Sequence, residues 1–277
     1  MQKYTKEFGI YLLPLIAMGV AWVLSSQVHA QDAANRPARA AEAANALKMT
    51  KWREIEDGLS VITASTALGT KLTALKISSE MFRFSVEVQN QPSGERASSV
   101  LERTGATIVV NGGFFGLRAD GSLYPVGQLV DDGAVLSSPW NSQGGFLSVD
   151  GKGEAKIIVS QNGLPSTSID AIQSRPVLIE PGRKWAMRTN GLELERRTML
   201  CELQDGDYIL FTVSGGGLTL YEAGWLFRGP EWGGFFDCDS AIAMDGGGST
   251  QLSIRGQSEF DITALTPVHN FLAISRR

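Results

Sequence analysis

Residues 71–77 and 82–88 alternate apolar with polar side chains, the two-residue period of a strand with one face buried. Residues 59–63 form a third β-rich run. Two further runs, 106–110 and 241–244, are apolar without alternation, as central strands covered on both faces are. Later strand runs are 196–203, 207–213, 249–255 and 268–275, and Asp205-Gly206 joins the first two of these as a hairpin. Asp120-Gly121, Asp132-Gly133, Asp150-Gly151 and Pro181-Gly182 are turn dipeptides that punctuate the shorter strands. Only residues 96–104 and a segment opening at Thr219 have the pattern of helices. Residues 31–51 are rich in alanine, carry Arg36, Pro37 and Arg39, and offer little to bury, so they predict a flexible tether or a loose helix. The expected architecture is α+β: a single strand-dominated domain over 52–277, with few helices around a central mixed sheet.

The two unbroken apolar runs end alike. The first runs into Asn111-Gly112-Gly113-Phe114-Phe115, the second into Asp245-Gly246-Gly247-Gly248-Ser249-Thr250. Glycine belongs where backbone takes unusual φ or approaches another group closely. A carboxylate at the end of a core strand, followed by bare backbone and two hydroxyls, suits an anion or a sugar. A tight turn capped by Asp245 suits the same residues. Asn111 and Asp245 are expected to meet at one sheet end. Neither motif is a phosphate-binding Gly-Lys-Ser/Thr loop, and Ser249 lacks the Gly-x-Ser-x-Gly frame of a nucleophile elbow. A Ser249–His269–Asp triad exists only on paper.

Composition and charge narrow this further. The chain has 277 residues and a net charge of -4, with no basic excess of the kind nucleic acid selects. Lys3 and Lys6, the apolar stretch 8–24 and Val28-His29-Ala30 make a secretory signal over 1–30 with cleavage after Ala30. The alternative is an uncleaved anchor, the one case in which a membrane is a partner. Either places the folded part outside the cytoplasm, periplasmic or secreted. Beyond residue 30 the one histidine is His269, so no two-histidine metal site can form. Asp237, Asp239 and Asp245 leave a divalent cation such as calcium possible, although their spacing matches no known loop. An exported chain permits a disulfide between Cys201 and Cys238, with two buried free thiols as the alternative.

Val110-Asn111-Gly112-Gly113-Phe114-Phe115, together with Tyr124-Pro125-Val126-Gly127-Gln128-Leu129-Val130, resembles the opening motif of the phosphodiester glycosidase family. Gly217-Leu218-Thr219-Leu220-Tyr221-Glu222-Ala223 and residues 241–250 resemble its later motifs. Arg197-Thr198 and Pro267-Val268-His269-Asn270 also match, so the resemblance covers roughly 55–277. Arg175-Pro176 stands where many members have Gly-Pro, and the approach over 229–239 is unusually aromatic. The resemblance implies cleavage of a sugar-1-phosphodiester to free sugar and a phosphomonoester, with a glycan phosphodiester as the substrate. The residues fit that chemistry. An oxocarbenium-like transition state calls for a carboxylate near the anomeric carbon, which Asp245 supplies. Asn111 and Glu222 complete the catalytic candidates, Glu222 with a competing role in a helix capping box. Arg197 and Arg175 are candidate phosphate holders. Thr198, Ser249 and Thr250 are candidate substrate contacts. Gly112, Gly113, Gly246, Gly247 and Gly248 offer backbone N–H groups to an anion. Phe114, Phe115, Trp140 and Trp232 are candidates for a sugar-stacking face. A non-catalytic glycan-binding or polysaccharide-assembly module on the same fold is the alternative function.

Overall fold

The computed structural model describes residues 37–140 and 144–277. The expected signal segment lies outside the described residues. The largest sheet has eight strands in the order Arg53–Glu56, Leu59–Ser65, Thr70–Ile77, Tyr208–Leu218, Glu195–Leu203, Cys238–Ala243, Val177–Glu180 and Lys184–Trp185. A four-stranded sheet runs Leu252–Ile254, Ile108–Asn111, Asn270–Arg276, Phe82–Val88. A five-stranded sheet runs Ala155–Val159, Gly145–Asp150, Ser168–Ser174, Leu129–Asp131, Ala134–Ser137. Phe115–Leu117 and Leu123–Pro125 form a separate hairpin.

Side-chain alternation sorts these sheets into layers. Leu200 and Ile242 face a core shared with Val110, Leu147, Leu272 and Ile274 of the smaller sheets. Their neighbours Met199, Cys201, Ala241 and Ala243 face the other way, onto a second core with Leu226 and Phe227. The short helix Leu220–Trp225 and the helix Ala38–Lys48 cover that second face. The four-stranded sheet is likewise double-faced: Val110 points into the shared core, while Val109 meets Ala97 and Val100 of the helix Ala97–Thr104. The two unbroken apolar runs are therefore central strands covered on both faces, as their pattern predicts.

Two expectations change. Every ladder between named strands of the described residues is antiparallel, so the central sheet is not mixed. Two-sided burial, common in parallel sheets, here comes from stacking one antiparallel sheet on others. The alanine-rich segment, expected as a tether or loose helix, forms the helix Ala38–Lys48 with Ala40, Ala43, Ala44 and Leu47 buried. Alanine has the highest helix propensity, and its small side chain lets the helix axis come close to the sheet. Cys201 and Cys238, on adjacent strands, form a disulfide with Cα atoms 5.8 Å apart.

Candidate active site

Asn111 ends a strand of the four-stranded sheet, and Asp245 lies two residues beyond the end of a strand in the eight-stranded sheet. They meet as expected, but at a seam between two sheets rather than at one sheet's end. Asn111 Nδ2 donates to the Asp245 carbonyl at 2.7 Å, and the Asp245 N–H donates to the Gly112 carbonyl at 3.0 Å. Asn111 Oδ1 accepts from Thr198 Oγ1 at 2.7 Å and from the Gln251 N–H at 3.1 Å. One buried side chain thus fixes three segments: the end of its own strand, the neighbouring sheet and the crossover between them.

That crossover is the glycine loop. After Met244 the chain leaves the eight-stranded sheet, turns through Gly247–Ser249 and enters the four-stranded sheet at Leu252. A Cβ on Gly246 would lie 2.8 Å from the Arg196 carbonyl, and Gly247 has φ +57°, so both need glycine. A Cβ on Gly248 would meet nothing closer than 3.6 Å. The Asp245 carboxylate accepts from the Gly246 N–H at 2.8 Å. Burial pushes its pKa up, opposed by the Ser249 hydroxyl and that N–H. Thr250 is fully buried, and its hydroxyl has no hydrogen-bond partner among the described residues.

Arg197 sits on the strand beside this loop, its Cδ 3.8 Å from where a Gly246 Cβ would lie. Its Nε donates to the Leu218 carbonyl at 3.0 Å and one terminal nitrogen to the Glu193 carbonyl at 2.9 Å. Two of its five N–H donors can account for these bonds, which leaves others for a ligand. Desolvation lowers its pKa, yet a guanidinium stays charged. Its neighbour Arg196, which sequence reasoning passed over, braces the loop through the Thr250 and Thr263 carbonyls at 2.6 and 2.8 Å.

Gly112 and Gly113 have a different reason to be glycine. The Asn270 side chain lies over them: the Gly113 N–H donates to its Oδ1 at 2.6 Å, and a Gly112 Cβ would fall 2.2 Å from that oxygen. The Gly112 N–H donates to the Asn270 carbonyl at 2.9 Å. Both N–H groups are thus engaged with protein rather than open to an anion. The nest expected at this pair is corrected, and Asn270 is a positioning residue whose sequence signal was the 267–270 motif. Burial, then the nearby Arg118, lowers the pKa of His269 to about 4, so its ring is neutral near neutrality. Ser249 bonds Asp245 rather than His269, which removes the paper triad.

Glu222 closes a complete capping box. Its Oε2 accepts from the Thr219 N–H at 3.0 Å, and Thr219 Oγ1 accepts from the Glu222 N–H at 3.1 Å. Asp237 and Asp239 precede and enter the strand that Asp245 follows. Six strand residues at ~3.3 Å each separate Asp239 from Asp245 by roughly 20 Å, so the cation set considered from sequence does not converge. Asp237 instead pairs with Arg183, and Asp239 accepts from the Gly182 N–H. No cluster of three metal-ligating side chains occurs among the described residues.

Beside the seam opens a groove of about 1290 Å³, whose lining includes Phe114, Gln128, Trp140, Gln173, Arg175 and Leu220. Asn111, Asp245 and Arg197 do not line it. The groove adjoins their site because Pro176, in its rim, accepts a 3.0 Å hydrogen bond from Ala243, two residues before Asp245. Of the four expected stacking rings, Phe114 and Trp140 come together, with centroids 5.7 Å apart. Phe115 packs against the helix Ala97–Thr104, and Trp232 faces Arg228. Arg175 stacks over Trp140 at 5.1 Å.

The fold is layered and antiparallel, with a carboxylate at a glycine crossover and a wide groove next to it. The phosphodiester glycosidase family profile matches residues 104–275, and the chain belongs to that family. Among solved structures, a hypothetical protein from Synechocystis matches at TM-score 0.57 and 14% identity, covering 82% of this chain; the chain spans 64% of that protein. The zebrafish N-acetylglucosamine-1-phosphodiester alpha-N-acetylglucosaminidase catalytic domain, auto-inhibited by its pro-peptide, matches at TM-score 0.57 and 15% identity, covering 82% of this chain and 88% of its own. At these identities the likeness is one of fold. No curated protein gave a significant sequence match.

Proposed function

We propose that this protein is an exported hydrolase that cleaves a sugar-1-phosphodiester in an envelope or extracellular glycan. The carrying observation is the half-buried Asp245 carboxylate at the seam of two sheets, with the Arg197 side chain beside the same glycine loop. As the bond between the anomeric carbon and the phosphate oxygen breaks, positive charge grows on the sugar, and a fixed carboxylate stabilises it. Arg197 holds the departing phosphate, which keeps the bridging oxygen and leaves as a phosphomonoester. Water adds to the anomeric carbon and gives the free sugar. Phosphate is a good leaving group, so charge stabilisation matters more than a dedicated acid. Thr198 and Asn111 position the loop, Ser249 orients the Asp245 carboxylate, and Glu222 holds the helix end at the groove.

The test is a release assay on alkyl esters of sugar 1-phosphates, with and without chelator. Free sugar and phosphomonoester should appear in equal amounts. Asp245→Asn keeps shape but removes the charge, so kcat should fall on the order of 100-fold or more while binding changes little. Near-parent turnover by a folded Asp245→Asn protein overturns the assignment. A parent protein that binds glycans and releases nothing supports the glycan-binding alternative.

A further inference from the structure

We propose that the groove beside Asp245 seats an anionic saccharide, one that carries carboxylate or phosphate groups along its chain. Its place in a reaction rests on the function proposed above, as the part of the substrate beyond the scissile phosphodiester. The binding itself does not.

Three features of the groove carry this. The first is a built aromatic wall. Gln173, 2% exposed, accepts through Oε1 from the Trp140 and Gln128 N–H groups at 3.0 and 2.9 Å. Its Nε2 donates to the Trp140 carbonyl at 3.2 Å. The Trp140 backbone is therefore held before any ligand arrives, next to the Phe114 ring. Aromatic faces of this kind suit the C–H faces of sugar rings, and a preorganised wall loses little entropy on binding.

The second feature is charge. Arg175 and Arg188 both line the groove, against one carboxylate, Glu180. Neither arginine forms an ion pair among the described residues. A local excess of positive charge in a protein of net charge -4 marks this groove out for anions. Arg175 is exposed, so its charge is open to a ligand. Stacking on Trp140 leaves its guanidinium edge for a carboxylate or phosphate fork.

The third feature is size. The volume, about 1290 Å³, exceeds what one sugar ring fills and admits a chain of several.

Binding is measured by calorimetry on the intact protein with three probes: tetragalacturonate, its fully methyl-esterified counterpart, and a neutral-backbone tetrasaccharide bearing phosphate. At least one charged probe should bind about tenfold more tightly than the ester, the scale of one charge-assisted hydrogen bond. Added salt should erode the preference. The stronger charged probe separates a carboxylate ligand from a phosphate one. Arg175→Ala, an exposed substitution that the fold tolerates, should abolish the preference, and Arg175→Lys should keep part of it. Trp140→Phe should weaken the charged and neutral probes alike. Equal affinity for charged and neutral probes, no binding of any, or a preference that survives Arg175→Ala with Arg188→Ala overturns the proposal. Charge preference without phosphodiester cleavage would remove the proposed reaction and leave the groove. Cleavage without charge preference would do the reverse.

Discussion

Asn111 uses all of its side-chain capacity that faces the seam: two bonds in and one out. Asn111→Asp keeps both acceptors and loses the donor, which leaves a buried charge against the Asp245 carbonyl. Unfolding free energy should drop by roughly 2–4 kcal/mol in denaturant titration, more than an ordinary lost hydrogen bond. Gly112→Ala places a methyl against Asn270 Oδ1, an overpacking that typically costs about 1–3 kcal/mol. Asn270→Ala in the same chain removes the nearest obstacle, so the double variant should be more stable than the sum of the singles implies. A third residue bears on pH. Burial, followed by the charges of Asp170, Glu87 and Asp132, raises the Asp131 pKa to about 6, against Arg103. The folded protein therefore holds this proton more tightly than the unfolded chain, and the associated stability is lost as pH rises from about 4 through 6. Asp131→Asn should melt higher than the parent near neutral pH, with the gap closing at about pH 4. Both glycine motifs were legible as places where strands stop. Why Gly112 is glycine was not, because the obstructing oxygen belongs to a residue 158 positions away.

At the scale of elements, local pattern carried most of the information. The helix Ala97–Thr104, the capped helix after Thr219, and the hairpin around Asp205-Gly206 lie where the sequence places them, since each is set by near neighbours. Strand direction is set by remote partners and could not be read, so the expected mixed sheet is instead antiparallel. The packing of the helix Ala38–Lys48 escaped for a related reason: its burial is visible only against Ile62, Leu72 and Phe211. Leu47→Ala should cost about 2–4 kcal/mol, since Leu47 is fully buried in that cluster, and should leave activity intact once the protein is folded. Glu222→Gln keeps the capping geometry, so kcat and its pH profile should change little if Glu222 is purely structural. A steep loss on a distorted profile would bring Glu222 into the chemistry.

Over the whole molecule, the disulfide closes a loop of 37 residues that contains the helix Leu220–Trp225 and the aromatic turn after it. A loop of this length stabilises by roughly 4 kcal/mol in the chain-entropy model. Reduction should lower the denaturant midpoint accordingly. Hydrogen exchange should then show 220–236 opening ahead of the strands around it.

The seam has a consequence for how activity is acquired. Asn111 and Asp245 lie 134 residues apart and in different sheets, so their contact closes only when both sheets are formed and docked. Contacts of such separation form late, after the entropy of a long closed loop has been lost. On dilution from denaturant, far-ultraviolet ellipticity should recover first, and turnover should follow with a lag. A refolding trace in which turnover keeps pace with ellipticity would place the meeting of the two strands at the start of folding instead.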